Sequence, residues 1–150
     1  MAKTNIERFD EMSADILAHL YEAFPIPVGV GPRVVDLTEE VVLDYDPVSE
    51  SWVTAGERDA ETEFFEATLE WLALSGFISK KSAPVNRPVY TLTAYGLQAL
   101  KHVPRPELGS ETLGEKLSSA TKNGAGEIAK EALNQALSIG MQIFSKSLGA

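Results

Sequence analysis

Residues 58 to 103 read RDAETEFFEATLEWLALSGFISKKSAPVNRPVYTLTAYGLQALKHV, and the fold follows from how this stretch divides. With Phe65 at the reference angle of a 3.6-residue helix, Leu69 and Leu72 fall beside it. Phe64, Thr68 and Trp71 line the adjacent ridge, so the apolar arc is broad and predicts a buried helix. Gly76 stands where a helix end needs positive φ, with Phe77 placed to fold back on the last turn. Two short β-branched or aromatic runs follow, residues 77 to 80 and 88 to 92. The segment between them, 81 to 87, is polar and rich in turn formers, so the pair predicts a hairpin. Thr93 then supplies an N-cap for a closing helix with Leu97, Leu100 and Val103 on one side, ended by Pro104 and Pro106.

The succession of helix, Gly76-Phe-Ile, hairpin and Tyr90-Thr-Leu-Thr-Ala-Tyr-Gly-Leu resembles the second half of a winged helix-turn-helix domain. In many bacterial winged-helix regulators a Tyr-x-Leu-Thr-x-x-Gly pattern joins the second wing strand to the next helix. The resemblance covers about residues 58 to 103, roughly a third of the chain, and rests on one short motif. It implies a winged-helix fold but not a function, because one fold hosts many. The expected class is therefore α+β, mainly helical: a winged-helix-like domain with a short β-hairpin wing, plus a C-terminal amphipathic helix. Its core should hold Ile16, Leu20, Phe65, Leu69, Leu72, Phe77, Tyr90, Leu92, Leu97 and Leu100.

Ahead of this stretch, Thr4-Asn-Ile-Glu has capping-box spacing and opens a first helix. Ile6, Phe9, Met12, Ile16, Leu17, Leu20 and Phe24 keep helical spacing along it, Ser13 marks an alternative start, and Pro25 stops it. His19 has no His or Cys at ligand spacing and reads as a boundary residue. Gly29-x-Gly31 lacks the Lys-Ser or Lys-Thr of a phosphate loop. Residues 38 to 57 admit two readings, a short capped helix from Thr38 or a hairpin of Val41-Val-Leu-Asp-Tyr with Ser51-Trp-Val-Thr. Asp44, Asp46 and Glu50 lack the glycine and final glutamate of a calcium loop and read as a solvated acidic turn.

Beyond the domain, expected over 1 to 105, residues 106 to 126 are small, polar and glycine-rich, which predicts a linker or a loosely helical segment. Residues 127 to 150 predict an amphipathic helix. Leu133, Leu137, Met141, Phe144 and Leu148 form a large-residue ridge, and Ala129, Ala132, Ala136 and Gly140 a small-residue ridge beside it. The arc is too wide for a two-stranded coiled-coil seam. It calls for a partner, a second copy or packing onto its own domain. We expect assembly through Leu133, Leu137, Gly140, Met141 and Phe144. A membrane-surface role is disfavoured, since the polar half offers anionic lipid only Lys130 and Lys146.

Composition narrows the function. With no cysteine, disulfides and thiolate metal sites are excluded, and a cytoplasmic location is the expectation. No window has the length and apolarity of a membrane-spanning helix, and the N-terminus lacks a signal peptide's apolar core. No catalytic residues, cofactor site or metal ligands emerge: Gly-x-Ser-x-Gly and His-Glu-x-x-His are absent and the carboxylates lie in one acidic face, so a non-enzymatic role is expected. The net charge is −9, but it is unevenly spread. Asp36 to Glu70 holds twelve acids against Arg58 alone, whereas Trp71 to Pro106 holds Lys80, Lys81, Arg87, Lys101 and Arg105 and no acid.

That asymmetry decides between two functions. The helix corresponding to a recognition helix presents Glu63, Glu66 and Glu70, with Asp59, where base readers carry Arg, Lys, Asn or Gln. These carboxylates are repelled by a phosphate-lined groove and form a candidate interaction face instead. Lys80, Lys81, Arg87, Lys101 and Arg105 are the candidate nucleic-acid contacts, enough for phosphate positioning but not for base reading. The expectation is a protein-interaction or self-assembly module, with a DNA-binding regulator as the alternative.

Overall fold

The structure, a computed structural model, describes residues 3–37, 43–54, 60–81 and 88–148. Helix α1 (Asn5–Ala23) opens as its spacing predicts, the Thr4 side chain accepting from the Glu7 amide at 3.2 Å. It runs unbroken through Ser13, which is buried rather than a second start. Met12, Ile16, Leu17 and Leu20 are buried on its inner face, while Ile6 and Phe24 at its ends are exposed. Strand β1 (Val28–Gly29) and a 3-10 turn at Pro32–Val35 follow. His19 donates its Nε2 hydrogen to the Gly29 carbonyl at 3.3 Å, so it ties this loop to the helix.

Of the two readings for residues 38 to 57, the hairpin is the one observed. β2 (Leu43–Asp46) pairs antiparallel with β3 (Ser51–Thr54), Leu43 opposite Thr54 and Asp46 opposite Ser51. The proposed helix start at Thr38 lies outside the described residues, as do Asp59 and Arg87.

α2 (Ala60–Leu74) ends at Gly76 with φ of 88°. The Phe77 amide bonds Leu72 O at 3.0 Å and the Gly76 amide bonds Ala73 O at 3.2 Å, the paired closure that a left-handed glycine permits. β4 (Ile78–Lys81) and β5 (Val89–Leu92) then form the expected antiparallel pair, Ile78 opposite Leu92. β1 adds to the other side of β5, giving a three-stranded antiparallel sheet in the order β1-β5-β4.

The join into α3 (Ala94–Lys101) gives the Leu-Thr-x-x-Gly pattern a physical basis. Thr93 Oγ1 accepts from the Gly96 amide at 3.0 Å, its hydroxyl donates to the Gly76 carbonyl, and its amide donates to Phe77 O at 3.1 Å. A β-carbon on Gly96 would overlap that same Phe77 carbonyl. The threonine caps α3 and laces it to the end of α2, and the glycine lets the two backbones meet. The expected core residues are all buried except Leu97, which is half-buried. The fold class is thus α+β and mainly helical.

The tail departs from the linker expectation. Residues Leu113–Lys122 form α4 and Gly126–Leu148 form α5. Thr112 accepts from the Glu115 amide at 3.1 Å, so Thr112-Leu-Gly-Glu is a second capping box within the glycine-rich segment. Leu113, Leu117 and Ala120 are buried, and Gly114 sits under the Tyr21 ring, which a β-carbon would strike. Gly114 thus serves close helix packing within this glycine-rich segment. α5 lies against α4, α3 and α1, and its small ridge, Ala129, Ala132 and Ala136, joins the same core as Ile16 and Leu100.

Candidate interaction surfaces

The outer face of α2 carries the acids the sequence placed there. Glu63 and Glu70 are exposed, whereas Glu66 is half-buried and lies near Tyr90. Burial, and secondarily that carboxylate, raises the Tyr90 phenol above its ordinary pKa. Two turns separate Glu63 from Glu70, about 10 Å along the axis.

Beside this acidic strip the expected burial of the Phe64–Trp71 ridge is incomplete. Phe64 is half-buried and Trp71 is 44% exposed. Phe9 of α1 meets Trp71 edge to face, centroids 5.1 Å apart at 87°. Between the helices lies an open groove of about 410 Å³, walled by Ile6, Phe9, Phe64, Ala67 and Trp71. The reason is the arrangement of helices: α4 and α5 pack on α1, and α3 on both of them, whereas α2 packs chiefly on α1, β4 and the 3-10 turn, which leaves this flank of α2 without a third helix. At the rim Arg8 stacks 4.2 Å above the Phe64 ring and pairs with Glu61 at 2.9 Å.

The described candidate nucleic-acid residues are spread over β4, the end of α3 and the segment after it. Lys80 and Lys81 are exposed at the end of β4. Lys101 and His102 at the end of α3 share a second groove with Gln98 and, from α5, Gln142 and Lys146. Arg105 is exposed just beyond it. Lys146 is the member of this basic cluster that sequence spacing missed, because nothing local relates it to α3.

The assembly ridge on α5 is divided by the fold. Leu133 and Gly140 are buried within the chain and Leu137 is half-buried, so they are not available to a second copy as expected. Gly140 is covered by the Phe77 ring. Met141 and Phe144 remain 56% and 41% exposed, with Phe144 set edge to face against Tyr95 at 5.7 Å. No helix among the described residues is long and apolar enough to cross a membrane. Compared with known proteins, the chain matches no protein-family model, no curated protein and no solved structure.

Proposed function

We propose that this chain is a non-enzymatic, winged-helix-like protein whose work is protein–protein interaction. Support for the winged-helix reading is the order β1-β5-β4, with α2 leading into the β4–β5 wing and β1 closing its far edge. Under that reading α2 occupies the recognition-helix position.

The observation that carries the function is the surface of α2 itself. It exposes Glu63 and Glu70 next to an apolar groove, and neither feature suits a phosphate-lined major groove. Aromatic side chains left open to water beside a charged rim are what protein interfaces bury. Anisotropy titration against random and selected duplexes at low salt tests this. The expected result is weak, unselective binding at most, carried by Lys80, Lys81, Arg87, Lys101 and Arg105, each phosphate contact steepening the log-log salt slope by about 0.9. Tight sequence-selective binding would reinstate the DNA-binding regulator. A cytoplasmic location accords with the absence of cysteine and is part of the proposal.

Self-assembly remains within this proposal only through the uncovered end of α5, Met141 and Phe144. Light scattering on the wild type and on Phe144→Asp is the check: an oligomer that the substitution dissociates supports it, and a wild-type monomer removes it.

A further inference from the structure

We propose that the α1–α2 groove receives an amphipathic helix of a partner protein, with large apolar side chains along one ridge and lysines or arginines flanking it. This rests on the interaction reading above and adds the chemistry of the partner. The groove offers its occupant almost nothing polar. Thr68 spends its hydroxyl on the Phe64 carbonyl at 2.9 Å, Asn5 at one end accepts from Arg8 at 3.5 Å, and the walls are otherwise Ile6, Phe9, Phe64, Ala67 and Trp71. Ile6 is 71% exposed and Trp71 44%, and Leu74, on the next turn of α2, is 80% exposed. A trough between two helices is shaped for the ridge of a third, and a half-exposed tryptophan backed by a phenylalanine is the kind of anchor on which such contacts depend.

Charge selects among apolar occupants. Among the described residues the nearby cations are already engaged, Arg8 by Glu61 at 2.9 Å and Lys3 by Glu11 at 2.8 Å. Glu63 and Glu70 are exposed and carry no ion pair among the described residues. Their unbalanced charge repels nucleic acid and anionic lipid alike, and attracts a basic peptide. Their separation of two turns, about 10 Å, matches cations seven residues apart on a partner helix.

The test uses the full chain carrying Trp52→Phe, which leaves Trp71 as the one indole of the two in the sequence. Two synthetic peptides of about 18 residues, long enough to form a helix, share one leucine ridge and differ only in lysine or glutamate flanks. The lysine peptide should shift Trp71 emission to the blue, with an affinity that falls as salt rises and exceeds that of the glutamate peptide by about tenfold or more. Ile6→Asp should abolish that response. It adds a negative charge, which would strengthen a merely electrostatic association, and an acid in the first turn of α1 keeps the helix intact. Glu63→Lys combined with Glu70→Lys should move the preference to the glutamate peptide.

Three results overturn the proposal: no Trp71 response to the lysine peptide, a response indifferent to Ile6→Asp, or equal binding of both peptides. A concentration-dependent blue shift of the chain alone, removed by Ile6→Asp, would also overturn it by making a second copy the occupant. Any of these, with no selective duplex binding in the separate DNA titration, removes the basic-helix partner and leaves the interaction reading in place.

Discussion

Gly140 of α5 lies so close under the Phe77 ring that a β-carbon added to it would stand 2.6 Å from Cζ. The contact joins Phe77, three residues past the end of α2, to the last helix, 63 positions along the chain, and explains why a glycine is tolerated in mid-helix. A leucine there should overpack the core and cost about 1–3 kcal/mol in urea unfolding. An unchanged midpoint would show that α5 does not pack on Phe77.

The Thr93 and Gly96 pair should be similarly intolerant. Gly96→Ala sets a methyl against the Phe77 carbonyl, a backbone atom that cannot rotate away, and the expected loss is about 1–3 kcal/mol despite alanine's better helix propensity. Thr93→Val keeps the shape but loses the cap, which should cost about 1 kcal/mol. Thermal or urea unfolding of both variants provides the measurement.

Leu72 and Leu74 stand two residues apart in α2 and differ completely in burial, 0% against 80% exposed. Leu72→Ala is expected to cost about 2–5 kcal/mol, and Leu74→Ala no more than about 0.5. Similar losses at both positions would mean that α2 is rotated from the orientation described.

Asp15 on α1 should make stability depend on pH. Burial, then the nearby charges of Asp36 and Glu11, push its carboxyl up to about 6. The folded state therefore holds the proton more tightly than the unfolded chain, whose aspartate titrates near 3.9. Stability should fall as pH rises from about 4 to 6 and stay lowered above that, by about 1 kcal/mol once solvent screening at this half-buried group is allowed for. Asp15→Asn should recover that loss at pH 7.5 and progressively less toward pH 4, read by denaturant unfolding. A constant difference across the range would show that the carboxyl titrates normally.

Truncation after Glu107 removes α4 and α5, which cover α1 and α3. Ile16, Leu17 and Leu100 would lose part of their cover, so the shortened chain should give a broadened, non-cooperative melt instead of a folded monomer. Circular dichroism with heating decides this, and a sharp unchanged transition would establish residues 1 to 107 as an independent unit.

Local sequence determined the elements wherever the signal was short in range. Thr4 with Glu7, Gly76 with Phe77, and Thr93 with Gly96 each act over three residues or fewer, and the α2 face of Phe65, Leu69 and Leu72 follows from helical spacing alone. The Thr112–Glu115 box was as legible as the first. What the segment packs against was not legible, because the ring that Gly114 accommodates, Tyr21, is 93 residues away. The acidic face of α2 was legible too, since charge needs no neighbour to be seen.

Tertiary structure decided which apolar faces are covered. The small ridge of α5 fits a second copy and the chain's own α1 and α4 equally well on helical geometry, and only the path of the chain chooses the latter. The same choice leaves Ile6, Phe9 and Trp71 at an open groove, and brings Lys146 beside Lys101. Periodicity specifies that a face must be buried but not against what, because hydrophobic burial is non-directional and its partner is set by the packing of the whole chain.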